Sequence, residues 1–309
     1  MRTIRTLIIA AALVVAGATQ AAAQAPANPL WHEQKVKNYL PHMTWPEVQD
    51  LLTRTDMVIL PVASLEQHGP QGPIGTDFLN GLERAKLIAQ RTDVLVAPIL
   101  FPGNSPYHMA FPGTITLPAE TIQLVFFQAA QSLIRHGFKR FLILNSHGGN
   151  QIISRYIADR INQETAGIAV ELGEAAGPFE QRTPREGPPM FDRHGGVGET
   201  SSSLYLTPNL VNLGAARAAP LTHLPHLQAM LPAVVAGDAT ATRVFLAEAL
   251  KAEETGKRTS TKDMTETGVW SVGDPKTASA ERGRDDTERF VAAAVAFIER
   301  WKALRPLGR

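Results

Sequence analysis

The chain is expected to fold as an α/β protein with a mostly parallel central sheet and helices on both faces. Short runs rich in Val, Ile and Leu, bounded by breakers, alternate with longer segments of helical periodicity. That pattern is how parallel strands joined by crossover helices appear in a sequence. The polar motifs that stand out follow directly after the first and third apolar runs. Open α/β sheets place their ligands there, beyond the carboxyl ends of the strands.

The first residues read as a secretory signal. Arg2 and Arg5 form a charged n-region, Leu7 to Val15 an apolar h-region, and Ala21-Ala22-Ala23 a small-residue exit. Cleavage is placed after Ala23, because a cut after Ala25 would set Pro26 against the scissile bond. The apolar stretch is shorter than the roughly 20 residues of a bilayer span, so a periplasmic or secreted protein is expected rather than an anchored one. Residues 24–43 carry Pro26, Pro29 and little periodicity and read as an extended arm, leaving 44–309 as the folded domain. A helix then starts with Thr44 as N-cap and Glu47 completing a capping box, and runs to about Arg54. Met57 to Ala63 reads as a strand buried on both faces. Phe78 to Gln90 is expected to be a helix, Val94 to Ile99 a strand, Ala119 to His136 a helix closed by Gly137, and Phe141 to Leu144 a strand. Gln151 to Gln163 follows as a helix and Ile168 to Leu172 as a strand. Glu174 to Met190, rich in Pro, Gly and charge, is expected to be a loop bordering the site. Thr240 to Gly256 reads as helical and Lys257 to Thr267 as a polar connector. The last helix, about Asp285 to Leu304, repeats Phe290, Ala293, Ala294, Phe297, Ile298 and Trp301 at helical spacing, which directs them to the core.

An apolar content of 44% over 309 residues is ample for a packed core. Thirty basic against twenty-nine acidic residues, a formal charge of +1, and no basic stripe give nothing that draws nucleic acid. A small-molecule or peptide partner is expected instead. The chain has no Cys, which fits an exported protein without disulfides and removes thiolate ligands and a Cys nucleophile from consideration.

The chemistry gathers in three segments. Leu65-Glu66-Gln67-His68-Gly69-Pro70 with Gly75-Thr76-Asp77 brings three metal-liganding side chains close together in sequence. Asn145-Ser146-His147-Gly148-Gly149-Asn150 adds a His in a strand-to-loop turn, and His194 to Ser201 adds another His and Glu199. Such N and O donors suit zinc, manganese or a similar divalent ion. Glu66 and His68, two apart at a strand end, leave the same face if the extended geometry continues. Asp77 precedes a helix whose N-terminal partial charge keeps a carboxylate ionised and able to bridge two cations. Tyr107, His108 and Trp270 are candidates for the pocket wall. His136 reads as a favourable charge at a helix C-terminus, and His223 and His226 receive no role.

These motifs, together with Phe111-Pro112-Gly113-Thr114-Ile115, Gly268-Val269-Trp270, Gly273-Asp274-Pro275 and Ala278 to Gly283, resemble the creatininase (creatinine amidohydrolase) family in motif order from Thr44 to the C-terminus. The resemblance implies a three-layer α/β/α domain with two divalent ions per subunit, Zn2+ or Mn2+. It also implies a homo-oligomer that hydrolyses a C–N amide bond. By position, Glu66, His68, Asp77 and His147 match metal ligands with Asp77 as the bridge, and His194 matches the catalytic histidine. Creatininase itself carries a Tyr-Glu pair after the metal-binding His, and its Glu is a ligand. Gly148 and Gly149 stand there in this chain, so Glu199 is assigned the missing carboxylate. No Trp occurs in 174–193 to close the site as in creatininase, which counts against creatinine as substrate.

The expected activity is hydrolysis of a small cyclic or linear amide, with two ions activating a water and His194 delivering a proton to the leaving nitrogen. A peptidase or deformylase on the same fold is the second reading. A non-catalytic periplasmic metal- or solute-binding protein is the third.

Overall fold

The computed structural model describes Asn28 and residues 33–100, 102–181, 191–218, 221, 225–249 and 260–308. The expected signal segment and its expected cleavage point, most of 24–32, the stretch 182–190, helix positions beyond Ala249, His223 and the side chain of His226 lie outside the described residues.

Four parallel strands form the central sheet in the order β2-β1-β3-β4: β1 Met57–Val62, β2 Leu95–Val96, β3 Arg140–Asn145 and β4 Ile168–Glu171. The crossovers are α2 (Thr76–Thr92), α3 (Ala119–Arg135) and α4 (Gln151–Glu164), preceded by α1 (Trp45–Leu52). Because strand side chains alternate between faces, β1 and β3 feed two separate cores. Met57, Ile59, Leu142 and Leu144 pack with α2 and the final helix, whereas Val58, Leu60, Val62, Phe141 and Ile143 pack with α1, α3 and α4. The result is three layers, α/β/α. Every residue of β1 is buried, which is why that strand is a continuous apolar run.

Pro61 in a central strand needs a reason, since proline cannot donate to a ladder. The Val62 carbonyl accepts from Ser146 on the β3 side and the Ile59 carbonyl from Ala97 on the β2 side. Pro61 shares the parity of Ile59. It therefore faces the flank where β2 has already ended.

Several boundaries differ from expectation. Helix α2 begins at Thr76, so Asp77 sits inside its first turn rather than before it. Leu172–Ala176 forms a short helix, α5, where a strand end and loop were expected; the Glu171 side chain caps it by accepting from Glu174 N–H at 2.7 Å. The final part of the expected arm is docked. Val36 packs on the core, the Asn38 carbonyl accepts from Val96, and Asn38 Nδ2 donates to Asp93.

Beyond the central layers, β5 (Asp192–His194) pairs antiparallel with β6 (Trp270–Ser271), a small sheet with no periodic signal. Between its strands run α6 (Val197–Leu206), α7 (Leu231–Val235), α8 (Ala239–Ala249) and α9 (Thr261–Met264). Phe191, Phe245, Met264 and Trp270 form a third core there. Helix α10 (Ala280–Leu304) starts earlier than expected because the Ser279 hydroxyl accepts from Arg282 N–H. Its Ala293, Ala294 and Ile298 are buried, and Phe290, Phe297 and Trp301 pack beside them, as the spacing predicted.

Candidate metal centre

Beyond the carboxyl ends of β1 and β3 the chain brings together Glu66, His68, Asp77, His147, His194 and Glu199. The first five are 1–6% exposed. Such burial of charged groups is costly unless they are paired or coordinate a metal. Asp77 links two histidines: Oδ1 lies 3.3 Å from His68 Nε2, and Oδ2 lies 3.0 Å from His147 Nδ1. Glu66 Oε1 is 3.2 Å from His147 Nδ1 and 3.5 Å from His194 Nδ1, while Glu199 Oε2 is 3.6 Å from His68 Nε2. Two three-ligand groups emerge, Glu66–Asp77–His147 and His68–Asp77–Glu199, each with its ligand atoms within 4.8 Å of one another and with Asp77 common to both. Glu66, His68 and His194 form a further such group.

The donor set fits divalent ions on two counts. His68 Nε2 and Asp77 Oδ2 are buried and complete no hydrogen bond in the protein, although carboxylate or imidazole lies close by. The outer nitrogens of the histidines, moreover, are already committed. His68 Nδ1–H donates to the Glu66 carbonyl at 3.1 Å, and His147 Nε2–H donates to the Asn104 carbonyl at 3.1 Å. Once the inner nitrogen gives up its proton, each ring is thereby left in the tautomer that turns a lone pair inward, the arrangement metal-binding histidines use. Glu66 is steadied through Oε2 by the Ser64 hydroxyl, and Glu199 through Oε2 by Gly195 N–H at 2.6 Å.

The glycines explain the departure from the Tyr-Glu pair. A Cβ at Gly149 would collide with Tyr107 Oη, the Asn104 carbonyl and His147 Nε2. No glutamate fits there without displacing the groups that orient His147. Gly195 has φ +59°, and a Cβ on it would press on the His68 backbone. That tight turn lets Gly195 N–H meet Glu199, the carboxylate assigned from the sequence to the missing position.

Charge follows the geometry. Burial alone would lower the pKa of His68, but the facing carboxylates of Asp77, Glu199 and Glu66 outweigh it and raise the value to about 10. In the same way His147 is raised well above the usual imidazole range, burial being overcome by Glu66 and Asp77. His194 goes the other way: burial, then the charges of His68 and His108, hold it well below. His108 is lowered to about 3 by burial and by His68 and His147.

Without metal, His68 and His147 therefore carry protons at neutral pH, and an ion must displace them. Adding Zn2+ to chelator-treated protein at pH 7 is expected to release about two protons per chain from these rings. Calorimetric titration in buffers of different ionisation enthalpy reads this number, and zero release would contradict the ligand assignment.

A cleft of ≈ 430 Å³ opens over the cluster, lined among others by Tyr107, His108, Gln151, Arg193 and Trp270. All three expected wall residues are there. His108 is more than wall: its ring stacks on His194 at 4.0 Å between centroids, and its Nε2 is 3.6 Å from Glu66 Oε1. Tyr107 Oη lies 3.4 Å from His147 Nε2, and Trp270 packs edge-on against Phe191. Asn104, Ser64, Arg193 and Gln151 were not singled out from the sequence. Arg193 could have been, as the neighbour of His194; Asn104 acts through its backbone carbonyl, which carries no residue signature.

Fold and donor set together define an α/β/α protein with a metal-type ligand cluster at the floor of an open cleft. The family model described as creatinine amidohydrolase matches residues 41–298, and the chain belongs to the creatininase family. It is 28% identical over 272 residues to the mycofactocin precursor peptide peptidase of Mycobacterium ulcerans (strain Agy99), covering 84% of this chain and 86% of that one. To the creatinine amidohydrolase of Pseudomonas putida it is 32% identical over 193 residues, 57% of this chain and 74% of that protein. A crystal structure of creatininase superposes with a TM-score of 0.63 at 22% identity over 87% of this chain and 98% of the other. Other creatininase structures matching the fold are described as Zn-Zn type and as Mn.

Proposed function

We propose that this protein is an exported, metal-dependent hydrolase of C–N amide bonds, with two divalent ions shared across Asp77. The observation that carries the reading is Asp77 itself: one buried carboxylate belongs to two ligand groups and sends its two oxygens to different histidines. Each group offers three protein donors, the number catalytic sites use while leaving a position open. Bound divalent ions supply Lewis acidity toward the substrate carbonyl and lower the pKa of water.

The chain's own groups move the protons. Hydrolysis adds the oxygen and one hydrogen of water to the acyl carbon, breaks the C–N bond, and sends the other proton to the departing nitrogen. His194 Nε2–H donates to the Gln67 carbonyl at 2.5 Å, so Nδ1, turned toward Glu66, is the nitrogen free to exchange a proton. Burial keeps that ring neutral, so it accepts a proton from the attacking water first and returns it to the leaving nitrogen afterwards. Stacking on His108 fixes its plane.

A peptide is the second substrate reading, and two observations favour it. The relatives named peptide peptidases align over 79–84% of this chain, and the creatinine amidohydrolase over 57%. Gly148 lines the cleft with nothing within 4 Å of a built Cβ, which leaves that part of the wall open for a longer substrate.

The test is metal content per chain at saturation, followed by turnover of amides, lactams and short peptides by the loaded protein. About two ions per chain and C–N cleavage in at least one class are expected. One ion or fewer at saturation would overturn the shared-carboxylate reading, and a loaded protein inert toward all three classes would overturn the activity.

A further inference from the structure

We propose that Arg193 is a specificity residue that selects substrates carrying a free carboxylate beside the scissile amide. The inference rests on the amide-hydrolase reading for the identity of the bond cleaved, but the binding part stands on the cleft alone. Arg193 is exposed and lines the cleft together with His147, His194 and Trp270. It is the one Arg or Lys among the cleft's described lining residues, and none of its side-chain nitrogens is engaged in a hydrogen bond or ion pair within the described residues. Arg84 and Arg289, which border another cavity, each make at least one bond, to the Ser202 hydroxyl and to the Glu180 carboxylate.

An exposed guanidinium lining a cleft and without a partner among the described residues, with five donors in a planar fork, matches a carboxylate in two-point fashion. Its placement is set by the small sheet. Arg193 lies on β5 immediately before His194, whose cross-strand partner on β6 is Trp270. Trp270, 5% exposed and lining the same cleft, has its Nε1 buried away from solvent and so offers a substrate its ring rather than a donor; the accessible donors beside the proton-transferring histidine are those of Arg193.

The fitting class is an N-acyl amino acid, or a peptide with a free C-terminus close to the cleaved bond.

The experiment compares N-acetylglycine with its neutral isostere N-acetylglycinamide, and a short peptide with a free C-terminus with its amidated form, on metal-loaded wild type, R193Q and R193K. The wild type is expected to favour the carboxylate member of each pair. R193Q should lose about 10–100-fold in kcat/KM for that member, carried by KM, while changing the neutral member less than about twofold. R193K, which keeps the charge without the fork, should fall between. Metal content is measured in all three proteins and is expected to be unchanged. Equal losses for charged and neutral members, or a wild type indifferent to the carboxylate, would overturn the proposal. Equilibrium binding of N-acetylglycine and N-acetylglycinamide separates the two readings. If no amide is cleaved yet the carboxylate still binds in an Arg193-dependent way, the hydrolase reading fails and this one stands. If R193Q binds both as the wild type does, this one fails whatever the turnover.

Discussion

Replacing Asp77 with Asn is expected to reduce bound metal from about two ions to one or fewer per chain and to lower amide turnover about 10³-fold or more. The side chain keeps its shape, so the loss is one of charge and of the second oxygen donor. Asp77 is the residue common to Glu66–Asp77–His147 and His68–Asp77–Glu199, and among the described carboxylates it sends one oxygen to each histidine at 3.0–3.3 Å, whereas Glu66 lies 3.2 Å from His147 and Glu199 3.6 Å from His68. The metal-free protein supplies a separate readout. His68 is held at about 10 there against an unfolded value near 6.5. A raised folded-state value means stabilisation that is complete below about 6.5 and lost as pH rises through about 10. Chelator-treated wild type should therefore lose stability over that window. The D77N protein, deprived of the charge facing His68, should show a much flatter slope in denaturation measured across the same pH values. A variant that kept both ions and its turnover would remove the basis for a shared carboxylate.

The candidate cluster was legible in the sequence because its members sit where the chain leaves a buried strand, and buried strands announce themselves as uninterrupted apolar runs. Met57–Val62 and Arg140–Asn145 lie side by side in register, Val62 opposite Asn145. The segments that follow them, carrying Glu66 and His147, had little choice but to emerge together. Helix α2 returns Asp77 to the same edge. What could not be read is what depends on contacts remote in sequence. The strands Asp192–His194 and Trp270–Ser271 are too short for period-2 patterning and owe their pairing to the apolar cluster of Phe191, Phe245 and Trp270. The start of α10 at Ala280, set by the Ser279 cap, leaves no such signal, because the apolar repeat begins only at Phe290 and is silent over the first turns. His108 illustrates a third limit: its place beside Glu66 is fixed by stacking on a ring 86 positions later in the chain, His194. Gly149 shows the reverse. Its lack of a side chain was visible at once, but the crowding that forbids one depends on Asn104 and Tyr107 from another loop.

Replacing His194 with Ala separates an enzyme from a protein that merely holds ions. The variant is expected to keep its metal and lose about 10²–10⁴-fold in kcat with KM little changed, the pattern of a group that acts on protons in the transition state. Three features support keeping the metal. The two groups sharing Asp77 do not include His194, its Nε2 is committed to the Gln67 carbonyl, and its Nδ1 lies 3.5 Å from Glu66 rather than between the paired ligands. The geometry also contains the opposite outcome, since Glu66, His68 and His194 could hold an ion among them; a fall in bound metal in step with activity would make His194 a ligand. The pH profile adds a check on its protonation. With its pKa held well below the usual range, His194 is neutral across neutral and mildly acidic pH, so wild-type turnover should not fall between pH 8 and pH 7 on its account. Should the variant bind metal and retain full turnover, the proton route through Nδ1 would be excluded, and the stack of His108 on His194 would be left with a purely structural task.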